Sequence, residues 1–377
     1  MKIVQTNKAY YPKVGGIETT IVTLSEGLVK IYDAEVTALV CNEKTSFETL
    51  NKKLNGVNVQ YLANYGFITS LPISPSYFSA LLKLEGDILH IHEPFPWADL
   101  SVLLLKQIRK NFSKIVVSWH SDIIRQKWVL SFYRKYIHQF LKIADKIIVS
   151  NPKLIENSNF LPLYKEKCVV IPIGINLNWV NSFSDTNDLL PQKHKNKNPF
   201  VLFVGRLVYY KGIEYLIDAM KSVLNASLLI IGSGPLEKQL LDKIKESNLE
   251  SSIKIIPEVD EATLHKYYKT CDLLVLPSVE KSETYGIVQI EAMACGKPVI
   301  CAEIGTGTSF INQNGITGLV VPPRDSKSLA QAINKLINDS KYRAELGRVG
   351  KARALNEFNA EKMVQRTYDL YQALLKD

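Results

Sequence analysis

No run of apolar residues in this 377-residue chain reaches the ~20 needed to cross a bilayer. The opening MKIVQTNKAYYPKVGG has no apolar core followed by small residues, so no secretory signal is expected there. Only five cysteines occur (Cys41, Cys168, Cys271, Cys295, Cys301), without metal-ligand spacing, which suits reduced thiols in a cytoplasm. Neither the GxGxxG dinucleotide fingerprint nor the phosphate loop of nucleoside triphosphatases is present. No internal repeat is found, and no nucleic-acid-binding motif accompanies the basic residues, so nucleic acid is not expected as a partner.

What remains is an ordinary soluble composition, 46% hydrophobic and 22% charged, long enough for two domains. The net charge of +9 points to an anionic partner. Between Lys106 and Lys146 ten lysines or arginines face only Asp122 and Asp145. Within this segment KWVLSFYRKYIHQFLKIAD predicts a helix, with Tyr133, Ile137, Phe140 and Leu141 on one face and Arg134, His138 and Lys142 on another. Arg134, Lys135 and Lys142 form either a solvated face or a surface that rests on anionic lipid headgroups.

Short β-rich runs alternate with helical patterns. KIVQT, EVTALV, DILHIH, KIVVSWH, KIIVS and CVVIPIG form one set, and FVLFVGR, ASLLIIGSG, SIKIIP, DLLVLPS and KPVICAE a second. Such alternation predicts an α/β fold with two parallel sheets covered on both faces. The polar, proline-bearing stretch at 182–198 between the sets reads as a linker. The expected division is therefore 1–185 and 198–359, with a last helix from about Ala360 that could pack on either domain.

Three glycine-bearing turns follow strands: Gly15-Gly16, Gly205-Arg206 with Lys211-Gly212, and Gly232 with Gly234-Pro235. Each can turn backbone N–H groups toward a phosphate, although a strand–helix turn often needs glycine for backbone reasons alone. In SETYGIVQIEAMACGKPVI, Glu283 precedes a helix that begins near Gly286-Ile287, and Glu291 lies inside it. Two carboxylates either side of a helix N-terminus could grip hydroxyls at both ends of an anion, as in a nucleoside-diphosphate sugar. A capping Glu283 and a solvated Glu291 are the plainer alternative. His90 and His92 share a strand face, but no third ligand lies nearby, so a structural role is expected and no metal.

The same stretch resembles the E-x7-E signature of the family 4 retaining glycosyltransferases. The order of GGIE (15–18), HIHEP (90–94), SWHSD (118–122), GRLVYYKG (205–212) and GSGP (232–235) resembles that family along nearly the whole chain. The resemblance implies the GT-B fold: two Rossmann-like parallel-sheet domains facing a central cleft, with the C-terminal helix (360–377) crossing back to the N-terminal domain. It implies that Arg206 and Lys211 neutralise the diphosphate of a nucleoside-diphosphate sugar and that amides around Gly286 and Ile287 meet its β-phosphate. Glu291 would hold the ribose, Glu283 the transferred sugar, Gly16 would close over the diphosphate, and His120 would sit beside sugar and leaving group. Catalysis would then rest on His120 and Glu283 with no cofactor, and the lack of a D-x-D aspartate pair agrees with a metal-free donor site. Tyr285 stands where the family commonly has phenylalanine, a change expected to touch only donor-sugar packing.

The stretch SWHSDIIRQKWVL is similar to bacterial enzymes that build O-antigen from mannose or rhamnose. The expected activity is retaining transfer of a hexose, mannose or a deoxyhexose from a GDP-sugar, to a polyprenyl-diphosphate-linked glycan at the inner face of the plasma membrane. A UDP-sugar-dependent transferase and a catalytically idle GT-B scaffold are the alternatives.

Overall fold

The run KIVQT becomes β1 (Lys2–Thr6), a central strand of an eight-stranded sheet. That sheet also holds β2 (Glu35–Cys41), β3 (Leu50–Leu54) and β4 (Val57–Leu62). A small separate hairpin, β5 (Phe67–Ile68) and β6 (Leu71–Pro72), comes next in the chain. The sheet then takes β7 (Gly86–Glu93), β8 (Phe112–Trp119), β9 (Lys146–Val149) and β10 (Cys168–Val170). Its order is β10-β9-β8-β7-β1-β2-β4-β3, parallel throughout except for β3. The computed structural model describes residues 1–12, 15–68, 71–105, 107–122, 127–181 and 199–376, and within these not the side chains of 127–133 and 181. The expected linker at 182–198 lies outside the described residues.

The chain divides into two units, Met1–Ile175 with Ala360–Asp377, and Asn176–Asn359. In the first, period-two alternation sends Val4, Leu39, Leu89 and Val117 to one face of the sheet and Ile3, Ala38, Ile88 and Val116 to the other, all fully buried. Helices cover both faces, as a parallel sheet requires. The helix Lys127–Ile143 buries Ile137, Phe140 and Leu141 completely and leaves Arg134, Lys135 and Lys142 exposed. The side chain of Tyr133 lies outside the described set.

The C-terminal helix Ala360–Lys376 belongs to this first unit, as the family resemblance implied. It lies against the helix Gly16–Tyr32, burying Met363, Val364, Tyr371 and Leu374 beside Ile21, Leu24 and Leu28, and Tyr368 stacks on Tyr32 with ring centroids 3.8 Å apart. The Tyr371 hydroxyl meets His90 Nδ1 at 2.5 Å.

The second unit holds a wholly parallel six-stranded sheet. Its strands are β11 (Phe200–Val204), β12 (Ser227–Ile231), β13 (Ile253–Ile256), β14 (Leu273–Leu276), β15 (Val299–Ala302) and β16 (Gly318–Val321), in the order β13-β12-β11-β14-β15-β16. Between β11 and β14 the winding direction reverses. Open α/β sheets bind ligands at such a point, beyond the carboxyl ends of the strands.

Candidate functional site

The reversal point of the second unit collects six of the predicted donor-site residues. Arg206 and Lys211 lie on the loop after β11, and Glu283 on the loop after β14. Lys211 and Glu283 form an ion pair through Nζ and Oε2, each side chain only 11% exposed. Ser278 Oγ donates to the same Glu283 oxygen at 3.1 Å, and Thr306 Oγ1 holds the Glu283 carbonyl at 2.7 Å. Arg206 is exposed. Three residues beyond Glu283, Gly286 takes φ +82° and caps the helix Ile287–Ala294. A Cβ there would lie 2.6 Å from Leu276 Cδ2, so both backbone and space require glycine. With no side chain at the cap, the first N–H groups of the helix stay open to an anion.

Glu291 is the fifth residue of that helix, and its Oε2 accepts from the Tyr268 hydroxyl at 2.5 Å. Burial raises the Glu291 pKa above the usual carboxylate value. The native form therefore binds its proton more tightly than the unfolded chain, and stability falls as pH rises through the range between the two values. Glu291→Gln is expected to raise the neutral-pH melting temperature of the free protein and to abolish the melting shift caused by nucleotide. A lower melting temperature for the variant would contradict this account.

The two glycine turns of this unit touch. A Cβ on Gly232, whose φ is +149°, would collide with the Gly205 carbonyl oxygen beneath the loop that carries Arg206. Gly232→Ala is expected to cost about 2–3 kcal/mol, read as a shifted urea midpoint, since a backbone rather than a flexible side chain must give way. An unchanged midpoint would show that the turns move apart freely.

Tyr285 points inward, its ring edge toward Phe358 with centroids 6.5 Å apart. The exchange expected to touch donor packing therefore bears on the core under the turn.

Gly16 and His120 belong to the first unit. Gly16 opens the helix Gly16–Tyr32, and its carbonyl accepts from Thr20 Oγ1 at 2.7 Å. Thr20 in turn lines a small cavity with His90, His92, Ser118 and His120 at the carboxyl edge of the eight-stranded sheet. His120 Nε2 lies 3.1 Å from His92 Nδ1, and His92 Nε2 lies 3.1 Å from Gln5 Oε1. With the glutamine oxygen accepting, His92 accepts in turn from His120 Nε2–H, which leaves His120 Nδ1 as an acceptor. Burial pushes the pKa of His90 down to about 3, that of His120 down to about 4, and that of His92 well below the usual value. The loop carrying His120 is tied down by Asp122, which accepts from Trp119 Nε1 (2.9 Å), Ser158 Oγ (2.7 Å) and the Asn159 backbone N–H (2.7 Å). His90 bonds Ser118 Oγ at 2.8 Å and Tyr371, so the strand histidines hold the interior together. Among the described residues no group of three or more His, Cys, Asp or Glu side chains is placed to hold a metal.

Sequence reasoning found the carboxylates, the lysine and the SWHSD stretch that holds Asp122, but not the supports Ser278, Thr306, Tyr268 and Gln5. These partners lie 5 to 87 residues away in sequence and carry no motif of their own.

The chain is similar to known proteins along its whole length. Residues 14–179 match the family described as Glycosyltransferase Family 4, and residues 186–353 match Glycosyl transferases group 1. The O-antigen chain mannosyltransferase C of Escherichia coli is 32% identical over 379 residues, covering 100% of this chain and 99% of that protein. The D-rhamnosyltransferase WbpZ of Pseudomonas aeruginosa is 35% identical over 295 residues, 78% of this chain and 76% of that one. The crystal structure of Anabaena HepE in complex with UDP shares the fold, with a TM-score of 0.80 at 21% identity over 99% of this chain and 100% of that one.

Proposed function

The chain belongs to the family 4 glycosyltransferases of the GT-B fold, and from that premise we propose that it transfers a hexose, mannose or a deoxyhexose, with retention of configuration, from a nucleoside-diphosphate sugar to a lipid-linked glycan in O-antigen or surface-polysaccharide synthesis. The observation that carries this reading is the buried Lys211–Glu283 pair at the reversal point of the second sheet, one turn before an open helix N-terminus. A leaving diphosphate needs fixed positive potential where its charge develops, and preorganised groups supply it without rearrangement at the moment of reaction. Arg206, Lys211 and the amides at Gly286 and Ile287 are such groups. Glu283 accepts from hydroxyls of the departing sugar, and Glu291, held by Tyr268, from the ribose. His120 offers an uncharged acceptor nitrogen beside the sugar. The names of the two curated relatives support mannose or rhamnose. UDP in the HepE complex supports a UDP-sugar as the second reading.

Thermal unfolding with GDP, UDP, ADP and their sugars, with and without EDTA, tests the site. A shift with GDP or GDP-mannose alone, unchanged by EDTA, is the expected result. A shift with UDP alone replaces the mannose reading, and no shift with any of them overturns the transferase in favour of an idle scaffold.

The exposed Arg134, Lys135 and Lys142 give this enzyme a face for an anionic membrane, where each lysine or arginine near the surface is worth about 1 kcal/mol. Among the described residues no helix is long and apolar enough to cross a membrane. Replacing all three by glutamine is expected to release the protein from anionic vesicles in a sedimentation assay while leaving hydrolysis of soluble donor unchanged. Continued binding would return this face to the solvent.

A further inference from the structure

At the carboxyl edge of the eight-stranded sheet, a pocket of about 450 Å³ opens beside β2 that none of the roles above uses. Its floor is the segment after β1, with Tyr10 and Tyr11, and its walls are Asn42, Glu43 and Lys44 after β2 and Lys52 on β3. Tyr11 is 58% exposed, yet its carbonyl is pinned by the Tyr61 hydroxyl. Lys52 Nζ stands 5.9 Å from the centre of the Tyr61 ring. An open aromatic ring on an anchored backbone is a preorganised contact surface, because little freedom is lost when a ligand covers it.

The lining identifies the occupant. A tyrosine face suits the apolar C–H side of a pyranose ring, while a carboxylate and an amide at its edge accept and donate to ring hydroxyls, the carboxylate most strongly. A hydrocarbon chain would have no use for Glu43, Lys44 and Lys52, and covering them would forfeit their hydration. A bare phosphate would be drawn by Lys44 and Lys52 but repelled by Glu43, whereas sugar hydroxyls can donate to the carboxylate and accept from both ammoniums. The pocket is also of a size that takes a small ligand.

Its position on the sheet gives it a role. His120 follows β8, and Asn42 follows β2; in the order β8-β7-β1-β2 these strands are parallel and end on the same edge. Three strand spacings of about 4.8 Å separate them, about 14 Å in all, more than one sugar ring can bridge. We propose that this pocket is a distal acceptor subsite, which holds a sugar of the acceptor glycan more than one residue away from the hydroxyl that receives the new hexose. The role rests on the reading that His120 marks the point of transfer; the sugar-binding chemistry of the pocket does not.

Saturation-transfer NMR on the full chain with the trisaccharides of α-mannose and α-rhamnose, with maltotriose, and with farnesyl phosphate, tests it, using Tyr11→Ala and Glu43→Gln. Tyr11 is exposed and Glu43 lies on the surface, so both variants are expected to fold, and an unchanged melting temperature without ligand checks that they do. The expected result is saturation of at least one trisaccharide by the unaltered chain, reduced about fivefold or more in each variant, as for loss of one anchoring contact. Equal saturation in the variants, no trisaccharide signal in the unaltered chain, or a signal from farnesyl phosphate alone overturns the proposal. Failure of the transferase reading would show separately, as a missing nucleotide shift with sugar binding retained.

Discussion

Lys211→Ala is expected to lower donor turnover by about 2–4 kcal/mol, roughly 30- to 900-fold, through loss of a preorganised charge at the leaving group. The ion pair adds a second effect. With the ammonium gone, Glu283 keeps only the Ser278 hydroxyl on that oxygen and stays largely enclosed. Breaking a buried pair from one side costs about 3 kcal/mol or more, because a charge is left without its partner. The single variant should therefore melt lower as well as turn over slowly. The double variant Lys211→Met with Glu283→Gln separates the two effects, since no charge is then left behind. Its melting temperature is expected to recover most of the loss while turnover stays low. Near-normal turnover in Lys211→Ala, measured as hydrolysis of the nucleotide sugar, would remove Lys211 from the site.

Acid should unfold the first unit early. His90 and His92 are fully buried and neutral, their pKa values held far below the ordinary 6.5. The unfolded chain binds protons at these positions from pH 6.5 downward while the native state does not, so stability is complete above 6.5 and is lost as pH falls. Each such histidine costs about 1.4 kcal/mol per pH unit once the unfolded form is protonated, so the pair removes about 3 kcal/mol per unit. His120, held down at about 4, adds a similar slope until the pH nears that value. Urea unfolding followed by tryptophan fluorescence at pH 7, 6 and 5 reads this directly. His90→Gln is expected to reduce the slope by about one proton, at some cost in stability from the lost Tyr371 and Ser118 contacts. A midpoint that does not move with pH would mean that these rings are already charged or open to water.

The central strands were legible because a parallel strand buried on both faces is a nearly continuous apolar run, as in the IVV of β8 or the LLVL of β14. The hairpin of β3 and β4 was not read from sequence, although Asn55-Gly56, both at positive φ, is the strongest short-range signal for one. Its first strand, LNKKL, is an exposed edge without an apolar face, so periodicity gave no reason to look there. Lys211 and Glu283 were each visible, one in a basic turn and the other in a spaced carboxylate pair. Their mutual contact was not, because it depends on β11 and β14 being neighbours across the reversal of the sheet. Tyr268 and Ser278 stayed hidden for the same reason: a hydroxyl that orients a carboxylate looks like any other until the fold brings it near.

The return of the C-terminal helix to the first unit has a consequence for synthesis. The face of that unit lined by Ile21, Leu24 and Leu28 is closed by residues translated almost 200 positions after Ile175. At about 5–20 residues per second, roughly 10–40 seconds pass between the two. During that interval the second unit, continuous in sequence, can finish folding while the first still shows an apolar seam. The second unit can thus mature before the first, and a chain lacking the helix that starts at Ala360 would leave a finished second unit tethered to a sticky, unsealed one.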